Sequence, residues 1–445
     1  MRYSILISIF FFINFLFSQS YYNRILGEEL HFNSAKSMAM GENSLADNNS
    51  SLLVSNPSIL SKFKKGISFD FSSLLSSYNE RRGFVMLDNF DGYLAESDYV
   101  SNNSLDGYFS GGISYLMPLS KINLGFGISY RNYISSNYSY EEEVRGRLFS
   151  YEGYTDGVPT IRDYYLGYHV LDSKGVIDLI TNTYSIAYNI KDNLSVSVGL
   201  SYNKTIADSI IERVYIDTLA AQNDDGLSTI SYPYQNKYNT LETDFLSFGI
   251  GLFTDKIECS YSQVQGHKIE TTVAPIDVVL EDYIYEQSGD VYTLQYLSLF
   301  YSNNRNNRVI ERPFVHKLDF KYNNQSFNNK TSLLLSYSQK HYTSEYLSNT
   351  QSFNIGIEYK KVNKMPYRFG VFYQESPIYF ISPITGITAG TSIPFYKFIL
   401  DIGCKYSTYS YKYIDLFQVD GDIRPDLDTI NETMFKLLIG IKYEF

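Results

Sequence analysis

The chain has 445 residues, 48 acidic and 37 basic, and its net charge of −11 argues against nucleic acid as a partner. Two cysteines, Cys259 and Cys404, are too few for a disulfide-stapled scaffold. Trp is absent while Tyr and Phe number 44 and 30, an aromatic load that suits β-strands and membrane interfaces better than a helical globule.

The first element, "MRYSILISIFFFINFLFSQS", places Arg2 before an apolar run from Ile5 to Phe17 and then the small residues Ser18 and Ser20. This is the pattern of a secretory signal peptide over residues 1–20, cleaved after Ser20. Ser8 and Asn14 interrupt the apolar run, which is shorter than the ~20 residues of a spanning helix. No Cys follows the cleavage site, which argues against a lipid anchor. No later run is apolar enough for a membrane helix, leaving a soluble exported protein or a membrane β-barrel.

Residues 21–65 are not strand-like. Within them "SAKSMAMGENSLADNNSSLLVSNPSIL", residues 34–60, sets small residues and Met ahead of a polar cluster, an apolar "SLLVSNP" and a helix-like tail. Two placements fit: a plug inside a barrel, or a disordered periplasmic extension.

From Gly66 onward the signal is period-2 alternation. In "KINLGFGISYR", Ile122, Leu124, Phe126, Ile128 and Tyr130 share one face, while Asn123, Gly125, Gly127, Ser129 and Arg131 share the other. The pattern recurs through "TYSIAYNI", "NLSVSVGLSYN", "LSFGIGLF", "IECSY", "HKLDFKY", "SFNIGIEYK", "YRFGVFY", "ITAGTSI", "LDIGCKY" and "MFKLLIGIKYEF". With runs at Ile67–Leu75, Ser110–Met117 and Ser332–Ser338 this makes about 14 strands of ~8 to 12 residues, long enough to cross a bilayer.

The links sort by parity. Those after even strands are short: "PLSK", "KDN", "TDK", "NNQSFNN", "VNKM" and "FYK". Links after odd strands are mostly long, roughly Ser76–Tyr108, Asn137–Leu179, Ile206–Glu242, Gln265–Arg312 and Tyr409–Thr429, with two shorter ones near Tyr342 and Ser376. An even strand count with short turns on one side and long loops on the other is the asymmetry of outer-membrane barrels. The expected fold is therefore all-β, an antiparallel transmembrane barrel over residues 66–445 with long extracellular loops, preceded by a luminal N-terminal plug, in the bacterial outer membrane. The closing "IGIKYEF" ends on Phe445, which resembles the C-terminal signal read by the outer-membrane assembly machinery.

With the apolar face toward lipid, the lumen receives Gly112, Gly125, Gly127, Gly199, Gly249, Gly251, Gly356, Gly370, Gly386, Gly390, Gly403 and Gly440. Interior glycine weakens a strand, so such a set implies close approach of other matter, or strand bending at barrel corners. The same face carries Asp70, Arg131, Glu258, Lys317, Asp319, Lys321, Glu358, Lys360, Arg368, Asp401, Lys405 and Lys436, charges that would be costly against lipid. Cys259 and Cys404 fall on the lipid face as apolar fillers.

Catalytic motifs are missing: there is no G-x-S-x-G, H-E-x-x-H or P-loop, and His31, His169, His267, His316 and His341 are scattered. Acidic clusters at Glu141–Glu143 and Asp420–Asp428 offer Ca²⁺-type ligands without EF-hand spacing and read as solvated loops. The expectation is a protein that is not an enzyme and needs no cofactor or metal.

With the barrel argued, residues 34–60 resemble the N-terminal plug motif of the FadL-type hydrophobic-compound transporters, where a small-residue "ARxxxMGGA" element precedes an "NPA" turn. Ala35, Lys36, Met40 and Gly41 stand at the first element and Asn56 and Pro57 at the second. Glu42 and Asn43 depart from the usual Gly and Ala, and Ser58 from Ala. The closing strands, "MPYRFGVFYQESPI", "ITGITAGTSIPF", "ILDIGCKYS" and "NETMFKLLIGIKYEF", resemble that family in order and spacing. The resemblance implies a fourteen-stranded barrel and passive uptake of a hydrophobic molecule, such as a long-chain fatty acid or lipid, gated by the plug. In that reading Met38, Met40, Leu45, Leu52, Leu53, Val54, Ile59 and Leu60 offer an apolar surface, and Arg131 or Arg368 pairs with a carboxylate head group. The alternative is a PorV-like relative serving as a shuttle or scaffold for secreted proteins.

Overall fold

The computed structural model describes residues 24–445 except 25, 31–33, 89, 91, 149–153, 156–157, 160–161, 192, 219–227, 230–233, 276–282, 288–289, 295–306, 327–328, 363, 414–415, 417–426 and 445. The signal segment 1–20, His31, most of the 420–428 acidic cluster and Phe445 lie outside the described residues.

Fourteen strands close one antiparallel barrel. They are β1 (Gly66–Leu87), β2 (Tyr93–Leu119), β3 (Ile122–Ser135), β4 (Val176–Lys191), β5 (Leu194–Ile206), β6 (Asp244–Thr254) and β7 (Ile257–Val264). Then follow β8 (Phe314–Gln325), β9 (Asn329–His341), β10 (Thr350–Lys361), β11 (Tyr367–Gln374), β12 (Ile384–Phe395), β13 (Phe398–Tyr413) and β14 (Asp428–Glu444). Each strand pairs with its neighbours in sequence, and β14 pairs with β1 from Ser68↔Glu444 to Gly83↔Thr429. Closure removes every free strand edge, the condition for a sheet in hydrocarbon.

Alternation sets the two faces as the sequence predicts. On β3, Phe126 and Ile128 are exposed on the outside while Gly125, Gly127 and Ser129 are buried toward the lumen. Tyr184, Ile186, Val198, Leu200, Phe369 and Ile387 extend the apolar outer band around the barrel. Cys259 and Cys404 are half-buried free thiols next to the buried Glu258 and Lys405.

The expected long loops are corrected in part, because much of them is strand. The β1–β2 hairpin absorbs most of 76–108. The 22 residues of β1 reach roughly 70 Å, against ~30 Å of hydrocarbon. Beyond β3–β8 the chain turns at Ser136–Asn137, Gly175, Ala207–Asp208, Leu241–Thr243, Gln265–Gly266 and Pro313 and enters a second, six-stranded sheet. Its strands are Val309–Arg312, His267–Pro275, Tyr234–Thr240, Ser209–Thr218, Arg162–Lys174 and Tyr138–Leu148, in spatial order. The Glu141–Glu143 run therefore sits on a cap strand, where Glu142 accepts a 2.8 Å hydrogen bond from the Tyr140 hydroxyl.

Ile210, Tyr238, Ile269 and Ile310 of the cap share one core with Ile134, Ile177 and Phe245 from the ends of β3, β4 and β6, joined by Val54 from the N-terminal segment. His267 stacks on Phe245 with ring centroids 3.9 Å apart, and burial pushes its imidazole down to about 4. Burial alone would raise the Glu212 carboxyl, yet Arg24 at 2.9 Å and Arg308 at 2.7 Å hold it below its ordinary value.

Candidate functional site: the lumen and its N-terminal segment

Residues 34–63 fold as short turns, each started by a polar residue. Ser34 caps the helix Ala35–Met38 by accepting from the Ser37 amide at 3.1 Å. Asn43 caps the 3₁₀ turn Ser44–Ala46 and Asn49 the turn Ser50–Val54, each accepting an amide hydrogen bond at 2.9 Å. Pro57 opens Pro57–Lys62, where its missing N–H costs nothing.

Between the helix and the first turn the backbone is left-handed at both Gly41 (φ +70°) and Glu42 (φ +62°). That conformation costs a side-chain-bearing residue roughly 1–2 kcal/mol. The Glu42 carboxylate accepts from Lys405 Nζ at 2.8 Å, which offsets the cost.

This segment fills the lumen against the inward glycines. Ten of the twelve named above would, if given a Cβ, have an atom of the segment among their nearest neighbours. At Gly356 the Cβ would lie 2.2 Å from the Met40 carbonyl oxygen, at Gly403 2.2 Å from that of Ala35, and at Gly199 2.4 Å from the Pro57 carbonyl carbon. Gly251 and Gly386 instead accommodate the rings of Phe253 and Phe372.

Luminal charges supply the polar half of the docking. Asp70 accepts from the Ser50 amide at 3.0 Å and hydroxyl at 2.6 Å, and Asp319 accepts from Ser44. Lys317 donates to the Glu42 carbonyl at 2.9 Å and Lys321 to that of Leu45 at 3.0 Å. Glu258 pairs with Lys62, Glu358 lies 3.9 Å from Lys36, and Lys436 donates to Glu28 at 2.6 Å. Asn56 donates to Ser44 and Ser260 hydroxyls, both at 2.8 Å, tying the segment to itself and to β7. Sequence reading missed Glu28, Glu42, Ser44, Ser50 and Lys62; the capping pattern Asn-Ser at 43–44 and 49–50 was the available signal.

The apolar residues of the segment are enclosed rather than presented. Leu45, Leu52, Leu53, Ile59 and Leu60 pack with Phe63 and the luminal Phe253, while Met38 packs with Leu74 and Leu438 and Met40 with Leu334. Of the named surface Val54 lines a cavity. The two arginines also part. Arg368 is used by the wall itself, donating to Glu358 at 2.6 Å, Ser392 at 2.6 Å and Asp401 at 3.2 Å. Arg131 lies over the Tyr133 ring at 5.4 Å, and its buried Nε–H has no hydrogen-bond partner.

Two adjoining cavities border the N-terminal chain and the cap. One of about 170 Å³ is lined by Glu28, Lys340, Ile384, Lys405, Met434 and Lys436 among others. The other, about 110 Å³, is lined by Val54, Arg131, Tyr133, His267, Lys317 and Phe372 among others. Glu29, Arg312, Pro313, Lys340 and Gln374 border both. Arg312 reaches from the cap to the carbonyls of Leu26 at 3.2 Å and Gly27 at 2.6 Å, and Glu28–Glu29 pairs with Ser135 and Ile134 of β3. The described N-terminal chain thus runs from the cap down through the lumen to the start of β1.

A closed fourteen-stranded sheet with an apolar outer band and a polar, filled lumen defines an outer-membrane β-barrel. Its fold is that of the FadL-type channels. A Pseudomonas aeruginosa FadL homologue superposes with a TM-score of 0.52 at 13% identity, covering 94% of this chain and 100% of that one. The P. putida toluene transporter TodX gives 0.51 at 13% identity over 94% and 99%. No family model and no curated protein matches the sequence.

Proposed function

We propose that this barrel is a passive uptake channel for hydrophobic compounds, including long-chain fatty acids, and that residues 34–63 are the plug that gates it. The observation that carries the reading is the unpartnered, buried Arg131 Nε–H at a cavity that also offers Val54, Tyr133 and Phe372. Arg131 shares that cavity with Arg312, Lys317 and Lys340 against the carboxylates Glu29 and Glu42, a net positive lining beside an apolar wall that suits a carboxylate head group. The folds of the FadL homologue and of the toluene transporter support the solute class. The solute would enter beneath the cap, and the plug would yield by exchanging its hydrogen bonds to the wall.

Native mass spectrometry of the detergent-extracted protein tests this. Co-purified fatty acid, reduced at least tenfold by Arg131→Gln, is the expected result. Binding of fatty acid unaffected by Arg131→Gln refutes the head-group assignment, and absence of any hydrophobic ligand refutes the channel reading. A second reading, a scaffold for secreted proteins, is favoured by Tyr346 and Tyr379, which stand 91% and 87% exposed on the links after β9 and β11. Recovery of secreted cargo with no bound lipid would support it.

A further inference from the structure

The six short turns of the barrel share a positive charge. Each carries an exposed lysine: Lys121 after β2, Lys191 after β4, Lys256 after β6, Lys330 after β8, Lys361 after β10 and Lys397 after β12. Among the described residues none of the six forms an ion pair with a carboxylate, although Asp255 precedes Lys256 and, in the sequence, Asp192 follows Lys191. At the opposite end several exposed cations are paired: Arg81 with Asp98 at 3.9 Å, Lys174 with Asp172 at 3.1 Å, Lys204 with Glu242 at 2.6 Å and Lys268 with Glu311 at 4.0 Å. In a chain of net charge −11 a lysine thus recurs at every short turn, with an aspartate beside it in two of the six.

The ring coincides with the edge of the apolar band. Lys121 adjoins the exposed Ile122, Lys191 adjoins Ile190, Lys256 adjoins Ile257 and Lys397 adjoins Phe398. A soluble partner would call for charge on one side of the mouth. Charge at every turn, at four of them one residue from lipid-facing side chains, matches a bilayer surface that surrounds the barrel, and long lysine stems bridge apolar and aqueous layers. We infer that the short-turn rim is an annular binding surface for anionic phospholipid headgroups of the periplasmic leaflet, whose phosphates neutralise the six lysines. The inference is independent of the solute in the lumen.

The test is native mass spectrometry of the full chain released from mixed micelles holding equal phosphatidylglycerol and phosphatidylcholine. One lysine near an anionic surface corresponds to about a fivefold preference, ~1 kcal/mol. The expected result is phosphatidylglycerol retained about fivefold over phosphatidylcholine, a ratio that falls toward one when the six turn lysines are changed to Gln. A control with Arg81, Lys174, Lys204 and Lys268 changed to Gln keeps the wild-type ratio. Heat-modifiable gel migration reports barrel folding; should the sixfold variant not fold, the pairs K121Q/K397Q and K191Q/K256Q must each lower the ratio by a part. No lipid preference in the wild type, a preference surviving the sixfold variant, or an equal loss in the control overturns the inference. So does lysine-dependent capture of an acidic periplasmic protein without any lipid preference.

Discussion

Gly356→Ala tests how the segment is held. The new Cβ would stand 2.2 Å from the Met40 carbonyl oxygen, 2.6 Å from its carbon and 2.9 Å from the Met40 Cα, whereas ordinary contact begins at 3.4 Å. The clash is with backbone on both sides, so no side-chain rotation relieves it, and a shift of roughly 1 Å is required. Gly356 is locked in ladders with Leu334 and Gly370, so the segment gives way rather than the wall. Overpacking of this kind costs ~1–3 kcal/mol, which moves the docked-to-undocked ratio about five- to 150-fold. Hydrogen exchange over 34–63 should accelerate by that factor and planar-bilayer conductance should rise, with heat-modifiable migration unchanged. Gly440→Ala is the luminal control, since its Cβ would meet the Ser72 hydroxyl at 3.2 Å and Ala35 at 3.8 Å. Wild-type exchange and conductance in a folded Gly356→Ala barrel, or equal effects from Gly440→Ala, would refute the reasoning.

Two further outcomes follow from the charges. Lys405→Met removes the 2.8 Å partner of the Glu42 carboxylate and should weaken docking of the segment by ~3–5 kcal/mol, read as faster exchange over 34–63. Glu42→Gly with Lys405→Met should recover most of that loss, because glycine accepts the φ of +62° without strain. In the cap, the buried His267 titrates near about 4 against 6.5 when exposed, so the opened cap binds a proton that the closed cap refuses. Closed-cap stability is then full above pH 6.5 and falls as pH drops toward 4, by up to ~3 kcal/mol. Proteolysis of the cap should accelerate over that window in the wild type and stay flat in His267→Phe.

What the sequence conveyed follows from periodicity. Outward rows such as Phe126–Ile128 and inward Gly125–Gly127 were legible because one face meets lipid and the other meets tightly packed backbone. The extensions beyond the membrane were not, since a strand outside hydrocarbon, like Tyr138–Leu148, needs no apolar alternation. Gly175, Gly266 and Pro313 mark the bends in retrospect, but each also reads as a loop residue. Luminal leucines Leu74, Leu334 and Leu438 break the inside-polar rule because the segment, not water, covers them. The role of Glu42 was hidden by its departure from the usual glycine; its partner Lys405 is 363 residues away in sequence.

Uptake of a labelled long-chain fatty acid by cells expressing the protein tests the central claim most directly. The account predicts saturable uptake above that of barrel-free cells and loss of saturation with Arg131→Gln. Uptake equal to that of barrel-free cells, with the folded protein present in the outer membrane, would contradict it.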